Sequence, residues 1–451
     1  KLLDRITAAV SEAFVNCGYE AEYGKVTISN RPDLCEYQCN GAMAGARAYH
    51  KAPFMIAEDV IAHLEKREWM EKEENQIAYP WEYHALPEVE VVKPGFINIH
   101  VNTDKTAAYL NAMKEEEELG LEKTDKPQTI VLDYGGPNVA KPLHVGHLRS
   151  AIIGESVKRI ARRMGHKVLG DIHLGDWGYQ MGLIITELQE RQPDLPYFQK
   201  DYEGDYPAEA PFTIGELEEI YPAASARAKE DEEYRERALH ATYLLQNGDR
   251  GCRAIWQHIM HVSVADLKKN YANLNVDFDL WKGESDAQAD IPDMIRRLKE
   301  EGYAHTDQGA LVIDVQEESD TKEVPPCMIQ KSDGASLYGT TDLATLVQRE
   351  RDYHPDQIIY VVDKRQELHF VQVFRAARKS GIVPEETRLR FLGFGTMNGK
   401  DGKPFKTREG GVMRLEVLIS EIQEEMYKKI TENRTVEEAE ARQTAGIVGL
   451  S

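Results

Sequence analysis

Residues 129–174 read TIVLDYGGPNVAKPLHVGHLRSAIIGESVKRIARRMGHKVLGDIHL. TIVLDY is an apolar run rich in β-branched residues and reads as a buried strand. A loop with two glycines and two prolines follows, and GHLRSAIIGESVKRIARRMG then has the length and spacing of a helix. HKVLGDIHL reads as a second strand. Together they form a βαβ unit, so the predicted class is α/β with a parallel sheet and crossover helices.

Further along the chain the alternation returns. ALVIDV, QIIYVVD and LRFLGFG read as strands of the same kind, with TTDLATLVQRERD and ELHFVQVFRAARKSG as helices between them. An acidic, helix-rich block from residue 191 to about 300 interrupts this pattern and reads as a helical insertion. On the amino-terminal side, a first helix, the segment KVTISNRPDLCEYQCNGAMAGARAYH and the alternating EVEVVKPGFINIHV suggest a small α+β unit over 1–118. The charged run KEEEELGLEK and the break at Asp125-Lys126-Pro127 close it. The sheet domain is expected over 119–413. From 414 to 451 the chain is helical, with Leu415, Leu418, Ile422 and Met426 at three- or four-residue steps.

A length of 451 residues implies two or three compact units. With 55 basic against 77 acidic residues, a chain that coats nucleic acid without specificity is excluded, although local basic patches are not. Five scattered cysteines do not form a disulfide framework, and a cytoplasmic location is expected. Cys35 and Cys39 lack two further close ligands and make a poor zinc site; no metal held by the protein is predicted. No apolar run approaches the roughly 20 residues of a membrane span. KLLDRITAAVSEAF carries acids, lacks a long apolar core and reads as an amphipathic helix, not a signal peptide. The chain begins at Lys1 without Met, the mark of a trimmed or partial chain.

His144 and His147 stand three residues apart where the loop meets the helix, so both lie on one face near its start. Unpaired amides and the helix dipole favour an anion there, and two imidazoles can reach the oxygens of a triphosphate. Gly146 leaves room for a nucleotide. Fourteen histidines give about 0.4 such pairs by chance, so spacing alone is weak. His258 and His261 share the spacing inside a helical run without strand or glycine, and read as a surface or packing pair. The first pair sits between a strand, a glycine loop, a lysine and a helix start. An HxGH nucleotidyltransferase without tRNA and a non-catalytic tRNA-binding relative remain alternatives at this point. A nicotinamide-dependent oxidoreductase is disfavoured, because no GxGxxG follows the first strand.

PNVAK followed by HVGHLRS resembles the active-site segment of class I aminoacyl-tRNA synthetases, and specifically of arginyl-tRNA synthetases. The resemblance extends through HLGDWGYQMG at 173–182, WKGES at 281–285, YGTTDLA at 338–344, RQELHF at 365–370 and GKPFKTREGG at 402–411, in that order. It implies a Rossmann-like catalytic domain and an amino-terminal domain that touches the elbow of tRNA. It also implies ATP accompanied by Mg²⁺, L-arginine and tRNA(Arg) as ligands, and a monomer with no membrane partner. Asn138 would hold the amino or carboxylate end of arginine, while Glu284, Tyr338, Asp342 and Gln366 would line its pocket. A guanidinium is a planar fork of five donors, which suits such a ring of acceptors. Taken alone, Asp342 after Thr340-Thr341 reads as a helix cap.

The implied chemistry is attack of the arginine carboxylate on the ATP α-phosphate, then transfer of the arginyl group to a terminal ribose hydroxyl. No protein nucleophile is required. The chain departs from many class I enzymes in having no KMSKS loop, and Lys141 is the compensating cation that the resemblance suggests. Lys406 and Arg408 are candidate helpers, and Gly395 and Met397 are placed near adenine. His173, Asp176, Trp177 and Gln180 follow the second strand, where open parallel sheets hold their ligands. No editing domain is expected, which leaves the insertion a structural role. The chain ends at TAGIVGLS, where the family is only entering its anticodon-binding domain, so binding of ATP and arginine with poor charging of tRNA is the expectation.

Overall fold

The computed structural model describes residues 2–66, 88–101, 103–119, 121, 123–332, 337–395, 414–433 and 436–450. The chain divides into two compact units, Lys1–Glu122 and Lys123–Ser451. In the first, helices α1 (Leu2–Asn16), α2 (Gly41–Gly45) and α3 (Pro53–Lys66) accompany a four-stranded antiparallel sheet, and α4 (Thr103–Glu115) follows it. Its strands are β1 (Val26–Ile28), β2 (Tyr37–Cys39), β3 (Glu88–Val92) and β4 (Phe96–His100), in the order β1-β2-β4-β3. Phe14, Ile56, Val60, Ile97 and Ile99 meet in its core.

The second unit starts with β5 (Thr129–Tyr134), α5 (Val145–Arg163) and β6 (Lys167–Asp171), the βαβ unit expected from the sequence. Helix α6 (Tyr179–Arg191) follows, and then α7 (Ile214–Glu230), α8 (Glu232–Gln246) and α9 (Arg250–Asn273), which fall in the block read as a helical insertion. After α10 (Glu284–Ala287) and α11 (Ile291–Glu300) come three short strands, β7 (His305–Asp307), β8 (Ala310–Ile313) and β9 (Cys327–Gln330). Next are α12 (Tyr338–Tyr353), β10 (Gln357–Asp363), α13 (Glu367–Lys379), β11 (Arg388–Phe394), α14 (Leu415–Asn433) and α15 (Glu438–Leu450). The parallel sheet runs β11-β10-β5-β6. Because β5 is followed by β6 on one side and later by β10 on the other, its carboxyl end opens on a topological switch point.

The central strand β5 is buried on both faces, as inner strands of parallel sheets are, while the edge strand β11 is largely exposed. Ile130, Leu132 and Tyr134 of β5 point into a core shared with α5, α6 and the insertion. Val131 points the other way, into the core of α11, α12 and α13. ALVIDV does not join this sheet. It pairs antiparallel with β7 and β9 in a separate three-stranded sheet. The reason is local: Gln308 and Gly309 take φ of 45° and 85°, the left-handed pair of a tight hairpin turn, so the strand doubles back on β7.

Helices α14 and α15 belong to the second unit. Leu415 is buried in the core that contains β5, and its N–H donates to the Leu143 carbonyl at 2.8 Å. On the other side of β5, Arg349 of α12 is 1% exposed, and its Nη2 donates to Asp133 Oδ2 at 2.5 Å and Asp171 Oδ2 at 2.7 Å. Those aspartates are register partners at the carboxyl ends of β5 and β6. Truncation as Arg349→Ala leaves two facing buried carboxylates without their cation. It is expected to lower stability by about 3–5 kcal/mol, read as a fall in the midpoint of chemical denaturation followed by far-UV circular dichroism.

Candidate active site

His144 and His147 meet at the amino end of α5. His144 caps the helix: its Nδ1 accepts the Gly146 N–H at 3.0 Å, while His147 Nδ1 accepts the His144 N–H at 3.1 Å. The ring centroids are 3.9 Å apart. Desolvation lowers the basicity of His144, helped by the positive charge of Lys141, and it pushes His147 down to about 3 with His144 adding to the effect. Both rings are therefore neutral at neutral pH. With each Nδ1 accepting, each proton sits on Nε2, and the two Nε2–H groups are the donors left to face a ligand. This corrects one expectation, because the Gly146 and His144 amides are spent on the rings and cannot serve an anion. A Cβ at Gly146 would lie 2.7 Å from His144 Cε1, so the glycine admits the folded-back ring.

The segments after β5 and β6 lie side by side. Val139 N–H donates to the Gly175 carbonyl at 3.0 Å, and Gly175 N–H to the Pro137 carbonyl at 3.1 Å. This clamp brings Asn138 directly over Gly175, where a Cβ would stand 2.2 Å from Asn138 Oδ1. Residues 280–284 are pinned alongside by Leu174 N–H to the Lys282 carbonyl at 2.7 Å and Glu284 N–H to the Leu174 carbonyl at 3.0 Å. Asp176, wholly buried, accepts from Ser285 N–H at 3.0 Å and Ser285 Oγ–H at 2.5 Å.

Glu284 opens α10 and reaches a cavity of about 370 Å³. Asn138, Lys141, Glu284 and Tyr338 all line it, with Trp177 and Gln180 from the segment after β6. Burial raises the Glu284 carboxyl to about 7; His173 opposes the rise, and the negative Asp176 and Asp342 add to it. Burial likewise raises Asp176 to about 6, against the Ser285 hydrogen bonds.

Helix α12 begins at Tyr338, so Asp342 falls on the same face one turn later. Asp342 is not a cap. Its Oδ2 is 2.5 Å from His369 Nε2 on α13. Gln366 is exposed at the amino end of α13 and does not line the cavity. The Gly395 carbonyl accepts from the Arg149 guanidinium. Met397, Lys406 and Arg408 lie outside the described residues. His258, by contrast with the first pair, is 2.9 Å from the Tyr197 hydroxyl and packs against that ring.

Several lining residues carried no signal in the sequence. Tyr221 of α7, Gln246 of α8 and Lys331 line the cavity. Gln246 Nε2–H also donates to the Trp177 carbonyl at 3.0 Å, fastening the insertion to the segment after β6. Tyr221 and Gln246 belong to helices whose local pattern speaks only of packing, and only the assembled fold brings them here. The insertion therefore forms part of the cavity wall as well as a scaffold. Asp133, Asp171 and His173 offer ligand atoms within 4.8 Å of one another. Arg349 already supplies the cation between the two aspartates, so these residues do not fit a resident metal ion.

The family described as "tRNA synthetases class I (R), catalytic domain" matches residues 109–451, and the "Arginyl tRNA synthetase N terminal domain" matches residues 1–101. The arginine--tRNA ligase of Agathobacter rectalis is 62% identical over an alignment of 458 residues that takes in all of this chain and 74% of that protein. The corresponding ligase of Alkaliphilus oremlandii is 57% identical over 450 residues, with the same coverage. Among solved structures, the arginyl-tRNA synthetase of Plasmodium falciparum superposes with a TM-score of 0.72 at 22% identity, covering 99% of this chain and 72% of that one. That of Thermus thermophilus gives 0.67 at 20%, covering 99% and 74%. These distant pairs share the fold with this chain, while the identities of the first two extend to the whole sequence, and the chain belongs to the arginyl-tRNA synthetase family of class I.

Proposed function

We propose that this chain activates L-arginine with ATP and transfers the arginyl group to tRNA, the activity that its relatives' names describe. The observation that carries the proposal is the convergence of Asn138, Lys141, Glu284 and Tyr338 on one cavity from three separate segments, the loop after β5 and the starts of α10 and α12. Glu284, with Asp342 one turn beyond Tyr338, supplies the negative charge that a guanidinium needs. Asn138 offers a neutral polar group for the other end of the amino acid. The Nε2–H groups of His144 and His147 donate to phosphate oxygens as charge moves onto the leaving pyrophosphate, and Lys141 adds a permanent positive charge. Catalysis consists of positioning and charge stabilisation, with the arginine carboxylate as nucleophile. Mg²⁺ enters with the nucleotide and needs no ligand set in the protein. Five free thiols support a reducing, cytoplasmic setting.

Pyrophosphate exchange measured across twenty amino acids, with arginine-accepting tRNA present, tests the assignment. Arginine alone should support exchange, and exchange with any other amino acid would sink it. In the same assay His147→Ala should lose about 100-fold or more in rate, as expected for removal of a transition-state donor. Arginine binding by that variant should stay within about twofold of the original by calorimetry.

The Glu284 carboxyl gives a pH signature. Its folded-state value, about 7, lies above the ordinary 4.5. Between those limits the unfolded chain releases a proton that the empty folded protein keeps, so stability falls as pH rises through that window. A bound guanidinium favours the ionised form. Arginine affinity should therefore rise between about pH 6 and 8, with proton release on binding near neutrality. Calorimetry in buffers of different ionisation enthalpy measures the released proton, and Glu284→Gln should abolish it.

A further inference from the structure

A cavity that uses carboxylates for one substrate and an ammonium for the other carries an internal conflict. When it is empty, the two can neutralise each other, and the lysine then occupies the place of the cationic substrate. Lys141 and Glu284 line the same cavity. Yet the contact Lys141 makes among the described residues is with an aromatic face: its Nζ lies 4.3 Å from the centroid of the Tyr221 ring. Tyr221 stands on α7 of the insertion and lines the cavity beside Lys141. The face of a phenol ring attracts an ammonium through its quadrupole but brings no formal charge. The ammonium is held and remains positive. A carboxylate in the same position would hold Lys141 more strongly and cancel the charge that a phosphate needs.

We infer that Tyr221 is a positioning residue that keeps Lys141 away from Glu284 in the empty site, leaving the carboxylate open to arginine and the ammonium open to the nucleotide. The inference rests on the roles proposed above for Lys141 and Glu284. It gives α7 a part in the chemistry. Because the ring face does the work and the hydroxyl does not, Tyr221→Phe should behave as the original protein.

The test uses equilibrium binding of arginine to the full chain, followed by calorimetry, beside pyrophosphate exchange with tRNA. Tyr221→Leu frees Lys141 to pair with Glu284, so the arginine dissociation constant should rise by about 3- to 30-fold, the range set by one ammonium–ring contact. Adding Lys141→Met should return it to within about twofold of the Lys141→Met single variant, while exchange stays low. An unchanged dissociation constant in Tyr221→Leu overturns the inference. So does a weakened one that Lys141→Met does not restore, because Tyr221 then acts on arginine or on the fold directly. Should Tyr221→Leu fail to fold, trifluorophenylalanine at position 221 keeps the ring and removes the negative charge of its face. It should weaken arginine binding relative to Tyr221→Phe, and equal affinities overturn the inference. Full exchange activity in Lys141→Met alone strikes the phosphate role of Lys141 instead, and the arginine-binding pattern still decides the role of Tyr221.

Discussion

Two aspartates, Asp133 and Asp171, face each other at the carboxyl ends of adjacent parallel strands, and one buried guanidinium holds them together. Everything that builds the site departs from that point. The loop carrying Asn138, Lys141 and the histidine pair leaves β5 one residue beyond Asp133, and the segment carrying His173 and Asp176 leaves β6 immediately after Asp171. Like charges at such close register would push the strand ends apart in a medium of low dielectric. Arg349 converts that repulsion into a clamp, and the hydrogen bonds between 137–139 and 175 continue it outward. The switch point opens between β5 and β10, beside the clamped pair, so the crevice has one fixed wall.

The βαβ unit was legible because TIVLDY and the helix after it differ in period, and periodicity survives without any knowledge of partners. The pair His144 and His147 was legible from its setting, as the contrast with His258 and His261 shows. In the first pair each ring is folded back onto the helix amino end. In the second, His258 is bonded to Tyr197 within a packed core. ALVIDV was misassigned because a four-residue apolar run looks alike in a parallel sheet and in a hairpin. The left-handed pair Gln308-Gly309 decides between them. Tyr221 was beyond reach, since nothing in α7 distinguishes a tyrosine that faces a cavity from one that fills a core. The same holds for Asp342, whose His369 partner lies on another helix.

Charge is kept separated throughout the site. Both histidines are neutral donors, so they add no cation to compete for Glu284. Asp176 is satisfied by Ser285 and stays out of the cavity, where a second free carboxylate would draw Lys141 across it. Glu284 is left largely desolvated, and no ion pair holds it among the described residues. Its raised affinity for a proton comes first from burial and then from the negative Asp176 and Asp342.

The protein thus binds arginine chemistry twice, on opposite terms. Arg349 has two carboxylates against one nitrogen and the Tyr360 ring 5.3 Å from its guanidinium carbon, so its charge is matched within the folded chain although its Nε and Nη1 have no hydrogen-bond partner among the described residues. The cavity proposed for the substrate offers similar components, the Glu284 carboxyl with Tyr338 beside it, and there the proposed cation comes from solution. A carboxylate already ionised and exposed would bind any passing cation. One that is buried and inclined to hold a proton ionises for a ligand that supplies both positive charge and a planar set of donors, since only such a ligand offsets the desolvation. Lysine brings the charge without the fork and leaves acceptors unpaired. Discrimination therefore follows from the cost of the empty site as much as from the contacts of the full one.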